Sequence, residues 1–270
     1  MQVRDFDDKA SVLAVIPFYK RQDQLDRCLA ALAASTHPVT TWVHDNSVEN
    51  LGFTRAVNRG LSAAADGGFD FVLVLNQDCY LRPTAVAALV RLVRERPACA
   101  IAGLKQLHGS DPDLIVHGGC TDAYPVGKHE VGRVSAGNHA ADRPMPWVNG
   151  AAMFARMSAV REFGQMDPNL VMIGSDSDWC YTARARGWEV WYCAAAEAVH
   201  EMGVSFAGPG PEMRRVFESD QNWWRMKWIS GTYRQLAGNA AAVPVGDRPM
   251  PGKTGSAIVG APAFSGLVPR

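Results

Sequence analysis

The sequence predicts an α/β protein with a mostly parallel sheet and helices on both of its faces. Three observations carry that prediction. Four short apolar runs alternate with three amphipathic helical periods across residues 11–103, the pattern of a sheet covered on both sides. The runs SVLAVI, DFVLVL and ACAIAG are near-continuously apolar rather than alternating, as strands buried on both faces are. Asp45 and Asp78 fall at the ends of two of the runs, and ligands of such sheets bind beyond the carboxyl ends of the strands.

Each element follows in order. Residues 11–16 form a buried strand that ends at Pro17. Leu25, Cys28, Leu29 and Leu32 recur at helical spacing over 22–35, so this stretch buries one face. VTTWVH (39–44) is β-rich and ends at Asp45-Asn46. Ala56, Val57, Leu61 and Ala64 mark a helix over 53–66, and DFVLVL (70–75) is a strand that runs into Asn76-Gln77-Asp78. Pro83 sits where a third helix begins, with Val86, Leu89, Val90 and Val93 as its stripe. ACAIAG (98–103) is the fourth strand.

Residues 106–146 lack periodicity and are rich in Gly, His, Asp and Pro. They read as loops and short strands that build a binding surface. Regular structure resumes at AAMFAR (151–156), with helices near 157–164 and 176–186 and a strand at 188–193. A GPGP loop precedes a helix near 211–236. From Pro244 the chain is Pro/Gly/Ala-rich, and its last residues, Leu267-Val268-Pro269-Arg270, resemble the remnant of an affinity-tag cleavage site. The expected organisation is a half over 1–105, a second half over 106–205, a helical segment over 206–243 and a tail over 244–270.

Composition narrows the function classes. The 27 Lys+Arg balance 27 Asp+Glu, which argues against a nucleic-acid partner. No run approaches the roughly 20 apolar residues that span a bilayer, and the first ten residues have no apolar signal core, so a cytoplasmic protein is expected. The six cysteines include no C-x-x-C pair and most lie in apolar surroundings, where a thiol acts as a small hydrophobe. Gly246…Gly252-Lys253-Thr254 nearly matches a phosphate-binding loop, but the spacing is one residue too long and no strand feeds it. No G-x-G-x-x-G follows the first strand.

Four residues could carry chemistry. Asp78 leaves an apolar strand at the sheet edge, where a phosphate-bound cation could dock with few protein ligands. Asp176 and Asp178 fall in the first turn of a helix that Ser175 would cap. Capping by the acids is one reading, and a general base acting on an acceptor hydroxyl is the other. His200 ends an apolar stretch before a Gly-rich loop, either as a structural residue or as a metal or phosphate contact.

In order along the chain, AVIPFYKRQDQLDRCLAAL, HDNSVENLGFTRAVNRGL, FVLVLNQDCYLRP, WVNGAAMFARMSAVREFGQMD with IGSDSDWCYTARARGWEVWY, and AVHEMGVS resemble the family 2 inverting glycosyltransferases of the GT-A fold. The rhamnosyltransferase-like members are the most similar. The resemblance covers residues 11–205. It implies a nucleotide-sugar donor, a glycan, lipid-linked or small-molecule acceptor, and a divalent cation, Mg²⁺ or Mn²⁺. Position by position, it implies donor contacts at Pro17, Tyr19, Asp45, Asn46, Asn50, Arg55, Asn58 and Asn76. It implies metal ligation by Asp78 and His200, catalysis by Asp176, and an acceptor side lined by Trp147, Asn149, Gly150 and Asp178. Two departures stand out. The metal motif reads Asn-Gln-Asp, with an amide in place of one carboxylate, and Ser175 stands where the family usually has an acid. A sugar nucleotidyltransferase and a binding protein of weakened activity are the alternatives. Trp223, Trp224 and Trp228 share the last helix with Arg225 and Lys227. They pack on the core, form a homodimer contact, or dock peripherally at the inner face of a membrane that holds a lipid-linked acceptor.

Overall fold

The computed structural model describes residues 10–121, 128–201 and 210–229. The segments expected at 202–209, 230–236 and the tail lie outside them. The first half runs β1 (Val12–Phe18), α1 (Gln22–Ala33), β2 (Thr40–Asp45), α2 (Gly52–Asp66), β3 (Phe71–Leu75), β4 (Cys79–Leu81) and α3 (Ala85–Glu95). It continues with β5 (Cys99–His108), β6 (Asp111–His117), β7 (Gly132–Arg133), β8 (Arg143–Pro144), β9 (Ala152–Arg156), α4 (Met157–Phe163), α5 (Ser175–Ala185), β10 (Glu189–His200) and α6 (Pro211–Trp228).

One sheet has the order β2-β1-β3-β9-β5-β10-β4. β1 runs parallel to β2 and β3, and β10 parallel to β5, while β9 lies antiparallel between β3 and β5. Five of these seven strands therefore point one way, as the sequence predicts. Alternation along β1 explains why its residues are apolar throughout. Val12, Ala14, Ile16 and Phe18 pack with Leu25, Cys28 and Leu32 of α1 and with α3. Leu13 and Val15 pack on the opposite face with Val57, Leu61 and Ala64 of α2 and with α4 and α5. Both faces are dry, so neither admits polar side chains.

The structure departs from the sequence reading in the middle of the chain. Residues 151–156 supply β9, inserted between β3 and β5, so the two halves share one sheet. The fourth strand runs past residue 103 to His108, and the loops and short strands expected from residue 106 open with β6, which returns antiparallel beside it. The polar residues that disguise β5 are paired rather than solvated: Lys105 Nζ donates to Glu197 of β10 at 2.9 Å, and Gln106 is 1% exposed. The first turn of α5 is also different. The cap is Gly174, at φ +77°, and Ser175 is the first helical residue. The left-handed backbone at Gly174 turns the chain into the helix without a side-chain cap.

α6 docks by one stripe, Val216, Asp220, Trp223, Trp224 and Lys227, all buried. Trp223 and Trp224 pack on Leu170, and Val216 on Val171. Both indoles thus face the core, so neither is available for a dimer or membrane contact. No helix of the described residues is long and apolar enough to cross a membrane.

Gly60 shows how tightly the layers meet. A Cβ there would overlap the side chain of Val15, which explains a glycine inside a helix where it costs about 1 kcal/mol relative to alanine. Gly60→Ala is expected to destabilise by about 1–3 kcal/mol through overpacking, read as a lower urea midpoint at constant m-value. An unchanged or higher midpoint would contradict this packing.

Candidate functional site

Strand register assembles the first part of the site. β4 is antiparallel to the end of β10, with Cys79 opposite His200, and Glu201 N–H donates to the Asp78 carbonyl at 2.9 Å. Asp78 and His200 are therefore brought together although 122 residues separate them. Asp78 Oδ1 lies 3.5 Å from His200 Nε2.

A hydrogen-bond chain fixes the state of that imidazole. The Ala151 amide donates to Asn149 Oδ1 at 3.0 Å, which identifies that atom as the oxygen. Gln106 Nε2 donates to the same oxygen at 3.2 Å, so Gln106 Oε1 faces His200 Nδ1, 2.8 Å away. Nδ1 therefore carries a hydrogen, and Nε2 faces the Asp78 carboxylate. Where Nε2 carries no hydrogen the two are facing acceptors, and either a proton or a cation between them satisfies both. The pair thus fits a divalent cation, with Gln106 in the orienting position that metal-bound histidines usually have. Among the described residues no group of three or more His, Cys, Asp or Glu side chains is placed to hold a metal. A cation here would have one carboxylate and one imidazole from the protein, and would need a diphosphate and water to complete its shell.

Gln77, the middle residue of the motif, faces the other way. Its Oε1 accepts from the Tyr19 amide at 2.5 Å, and its Nε2 donates to the Tyr19 carbonyl at 3.2 Å and to Gln24 Oε1 at 3.3 Å. It ties the β1–α1 loop to the end of β3. That loop contains Lys20 at φ +54°, uncommon for a residue with a Cβ, and the Lys20 amide is held by Ser47 Oγ at 2.7 Å. Parallel pairing sets Phe18 beside Asp45, and the Asn46 amide donates to the Phe18 carbonyl at 2.8 Å. Asp45 Oδ1 accepts from Ser47 N–H, Asn46 Oδ1 from Leu51 N–H and Asn50 Oδ1 from Gly52 N–H. Pro17, Tyr19, Asp45, Asn46 and Asn76 thus gather at the ends of β1, β2 and β3.

Asp176 forms the second part. Its Oδ2 accepts from the Gly150 amide at 2.9 Å and its Oδ1 from the Ser177 amide at 2.8 Å. Burial raises its pKa, and the two amides and the nearby His129 pull it partly back. The Asn149–Gly150 segment links the two parts: Asn149 belongs to the His200 chain and Gly150 holds Asp176. Trp147 is buried, with its Nε1 donating to the Thr121 carbonyl at 2.9 Å.

Two expected groups lie elsewhere. Asn58 spends its amide on Met166, accepting from its N–H at 3.0 Å and donating to its carbonyl at 2.8 Å. With Arg55 it lines an open depression of about 300 Å³ along α2, bordered also by Leu51, Arg59, Ser62 and Gln165 and not by Asp78, His200 or Asp176. Asp178, expected on the acceptor side, is fully buried. Its Oδ1 meets Lys227 Nζ at 2.6 Å and Trp228 Nε1 at 2.7 Å.

That contact belongs to a network the sequence reading missed. Lys227 also meets Asp167 at 2.9 Å, and Trp223 Nε1 donates to Asp167 at 3.0 Å. Trp224 Nε1 donates to Ser177 Oγ at 3.0 Å. Asp220 accepts three amides, of Val171, Met172 and Ile173, at 2.8–3.0 Å. Burial alone would lift the Asp167 pKa, but Lys227, Trp223 and the Asn169 amide bring it below the ordinary value. For Asp178 burial wins over Lys227 and the pKa is raised. The signal was present in the sequence: Asp220 and Lys227 share a helical stripe with two tryptophans, and ionic groups on an apolar stripe imply buried partners.

The comparisons with known proteins fit this arrangement. The sequence profile of the family described as "Glycosyltransferase like family 2" matches residues 37–220. The chain belongs to this family. It is 26% identical, over 286 aligned positions, to the N-acetylglucosaminyl-diphospho-decaprenol L-rhamnosyltransferase of two Mycobacterium tuberculosis strains, covering 82% of this chain and 89% of that one. Among solved structures it is similar to GalNAc-T7 with UDP, GalNAc and Mn²⁺, at a TM-score of 0.62 and 13% identity over 86% of this chain. The chain spans about half of that structure's length, 54%. The fold is GT-A, and the protein is a glycosyltransferase.

The α6 network yields a stability prediction. Lys227→Met leaves two buried carboxylates without their cation and is expected to cost about 3–5 kcal/mol, measured by urea unfolding. A loss below about 1 kcal/mol would contradict the ion pairs.

Proposed function

We propose that this glycosyltransferase moves L-rhamnose, with inversion, from dTDP-L-rhamnose to a sugar hydroxyl of a lipid-linked N-acetylglucosaminyl diphosphate. The sugar and the acceptor class follow the mycobacterial relative. The observation that carries the mechanism is the pairing of a cation-fitted site, Asp78 with His200, and a separately held carboxylate, Asp176, joined through Asn149–Gly150. An acceptor of this kind places the enzyme in the cytoplasm, peripherally at the inner membrane face.

Asp176 is the general base. It takes the proton of the attacking hydroxyl as that oxygen bonds to the anomeric carbon on the face opposite the departing diphosphate. The Gly150 and Ser177 amides hold the carboxylate in place for this step, and its raised pKa strengthens it as a base. Asp78 and His200 are the residues that would hold Mg²⁺ or Mn²⁺, and such a cation would supply charge neutralisation on the leaving diphosphate. Pro17, Tyr19, Asp45, Asn46 and Asn50 line the nucleotide end, and Gln77 sets their loop. Trp147 backs the acceptor side, and Asp178 serves as a strut for the base.

Asp176→Asn is expected to bind dTDP as the wild type does and to lose about 10²–10⁴-fold in kcat, measured with radiolabelled donor. Wild-type turnover by this variant would overturn the base assignment. Because Asp176 works ionised and its pKa is raised, kcat/KM falls as pH drops through a value above that of an ordinary aspartate. An acid limb at or below the ordinary value would contradict the burial of this group. Chelation with EDTA is expected to abolish transfer and Mn²⁺ to restore it, and Asp78→Asn is expected to raise the Mn²⁺ concentration required. Full activity in EDTA would overturn the metal assignment.

A further inference from the structure

Three imidazoles stand in a row beside the two parts of the site. His117 is buried, with its ring 4.1 Å from that of His129, edge to face, and 6.0 Å from that of His200. Of the three, only His129 is exposed. Its inner side rests on His117 and on the Trp147 indole, 5.3 Å away. Cys120 bridges to both His129 and Trp147 through the backbone. Three residues beyond Trp147, the Gly150 amide holds Asp176. His129 lies within electrostatic range of both Asp176 and His200, and its contacts with His117 and Trp147 set it beside the segment whose Gly150 amide holds Asp176.

The state of this ring is set by its neighbour. Cys120 Sγ lies 3.2 Å from His129 Nδ1. The thiol is fully buried, and burial pushes its pKa far above neutrality, so it keeps its hydrogen. Sulfur is a weak acceptor and imidazole nitrogen a good one, so the S–H points to Nδ1 and the ring hydrogen sits on Nε2. Nε2 makes no hydrogen bond among the described residues.

We infer that His129 contacts the acceptor: held by Cys120 as the Nε2–H tautomer, it donates a hydrogen bond to an acceptor oxygen next to the hydroxyl that Asp176 deprotonates. The inference rests on the proposed transfer at Asp176. A second fixed point on the acceptor sugar orients the attacking oxygen, and orientation of this kind is a large part of what an active site supplies.

The test uses the full-length enzyme, dTDP-L-rhamnose and a short-chain lipid N-acetylglucosaminyl diphosphate. His129→Phe keeps a ring on His117 and Trp147 but has no N–H. Its kcat/KM for the acceptor is expected to fall about ten- to hundred-fold, with the donor KM and the slow acceptor-independent hydrolysis of the donor unchanged. His129→Gln, which restores an N–H, is expected to recover most of the loss. An unchanged acceptor kcat/KM, or a loss shared equally with the donor, would overturn the inference. Side-chain ¹⁵N shifts of histidine give a readout independent of turnover. The wild type is expected to show His129 protonated on Nε2, and Cys120→Ala to show a tautomer mixture. Protonation on Nδ1 in the wild type would overturn the assignment. A wild type that transfers no sugar would overturn the functional reading and this acceptor contact with it, while the ¹⁵N shifts would still decide the Cys120–His129 pairing.

Discussion

The ion-pair cluster of Asp167, Lys227 and Asp178 is the constraint on which the rest of the site depends. The segment 164–174 that leads to the base belongs to no helix or strand, so nothing regular in the sheet determines where α5 begins. α6 supplies that determination from outside. Asp220 gathers three successive amides of the segment, Lys227 joins its start to Asp178, and Trp224 fixes Ser177. Asp176 sits between the points so held. A buried ion pair is costly to desolvate and repays its cost only when every remaining polar atom has a partner. The indole N–H groups of Trp223 and Trp228 meet much of that requirement, which accounts for tryptophans on this helix better than contact with a membrane does.

The sheet does the corresponding work for the cation-fitted pair. Antiparallel pairing of β4 with the end of β10 places Asp78 beside His200, and the Gln106–Asn149 chain holds the ring through Nδ1 with Nε2 toward Asp78. The same Asn149 lies next to Gly150, whose amide holds the base. In the proposed mechanism, the group that handles the leaving diphosphate and the group that takes the proton of the incoming hydroxyl therefore share a single connection. That economy fits a net charge of zero over the chain: the charges that matter are few and local.

Much of the first half was legible in the sequence because buried parallel strands admit only apolar residues, so β1, β3 and the opening of β5 stand out, and with them Asp45 and Asp78 at strand ends. What stayed hidden had a common cause: polar residues whose partners are distant in sequence. Lys105 and Gln106 made β5 look like a loop because Glu197, Asn149 and His200 lie across the sheet. Asp178 looked like an acceptor contact because Lys227 is 49 residues away. A serine before two acids fits a helix cap in the sequence, but the φ of Gly174 does the turning. His129 fell in a stretch without periodicity, where neither strand nor helix spacing marks a residue.

The configuration of the product tests the account most directly. Transfer in one step, with Asp176 assisting the incoming hydroxyl from the side opposite the diphosphate, requires that the new glycosidic bond have the anomeric configuration opposite to that of the donor. One-bond C1–H1 coupling in the product, measured by NMR, reads this without ambiguity. The account predicts inversion, and a product that keeps the donor's configuration would contradict it.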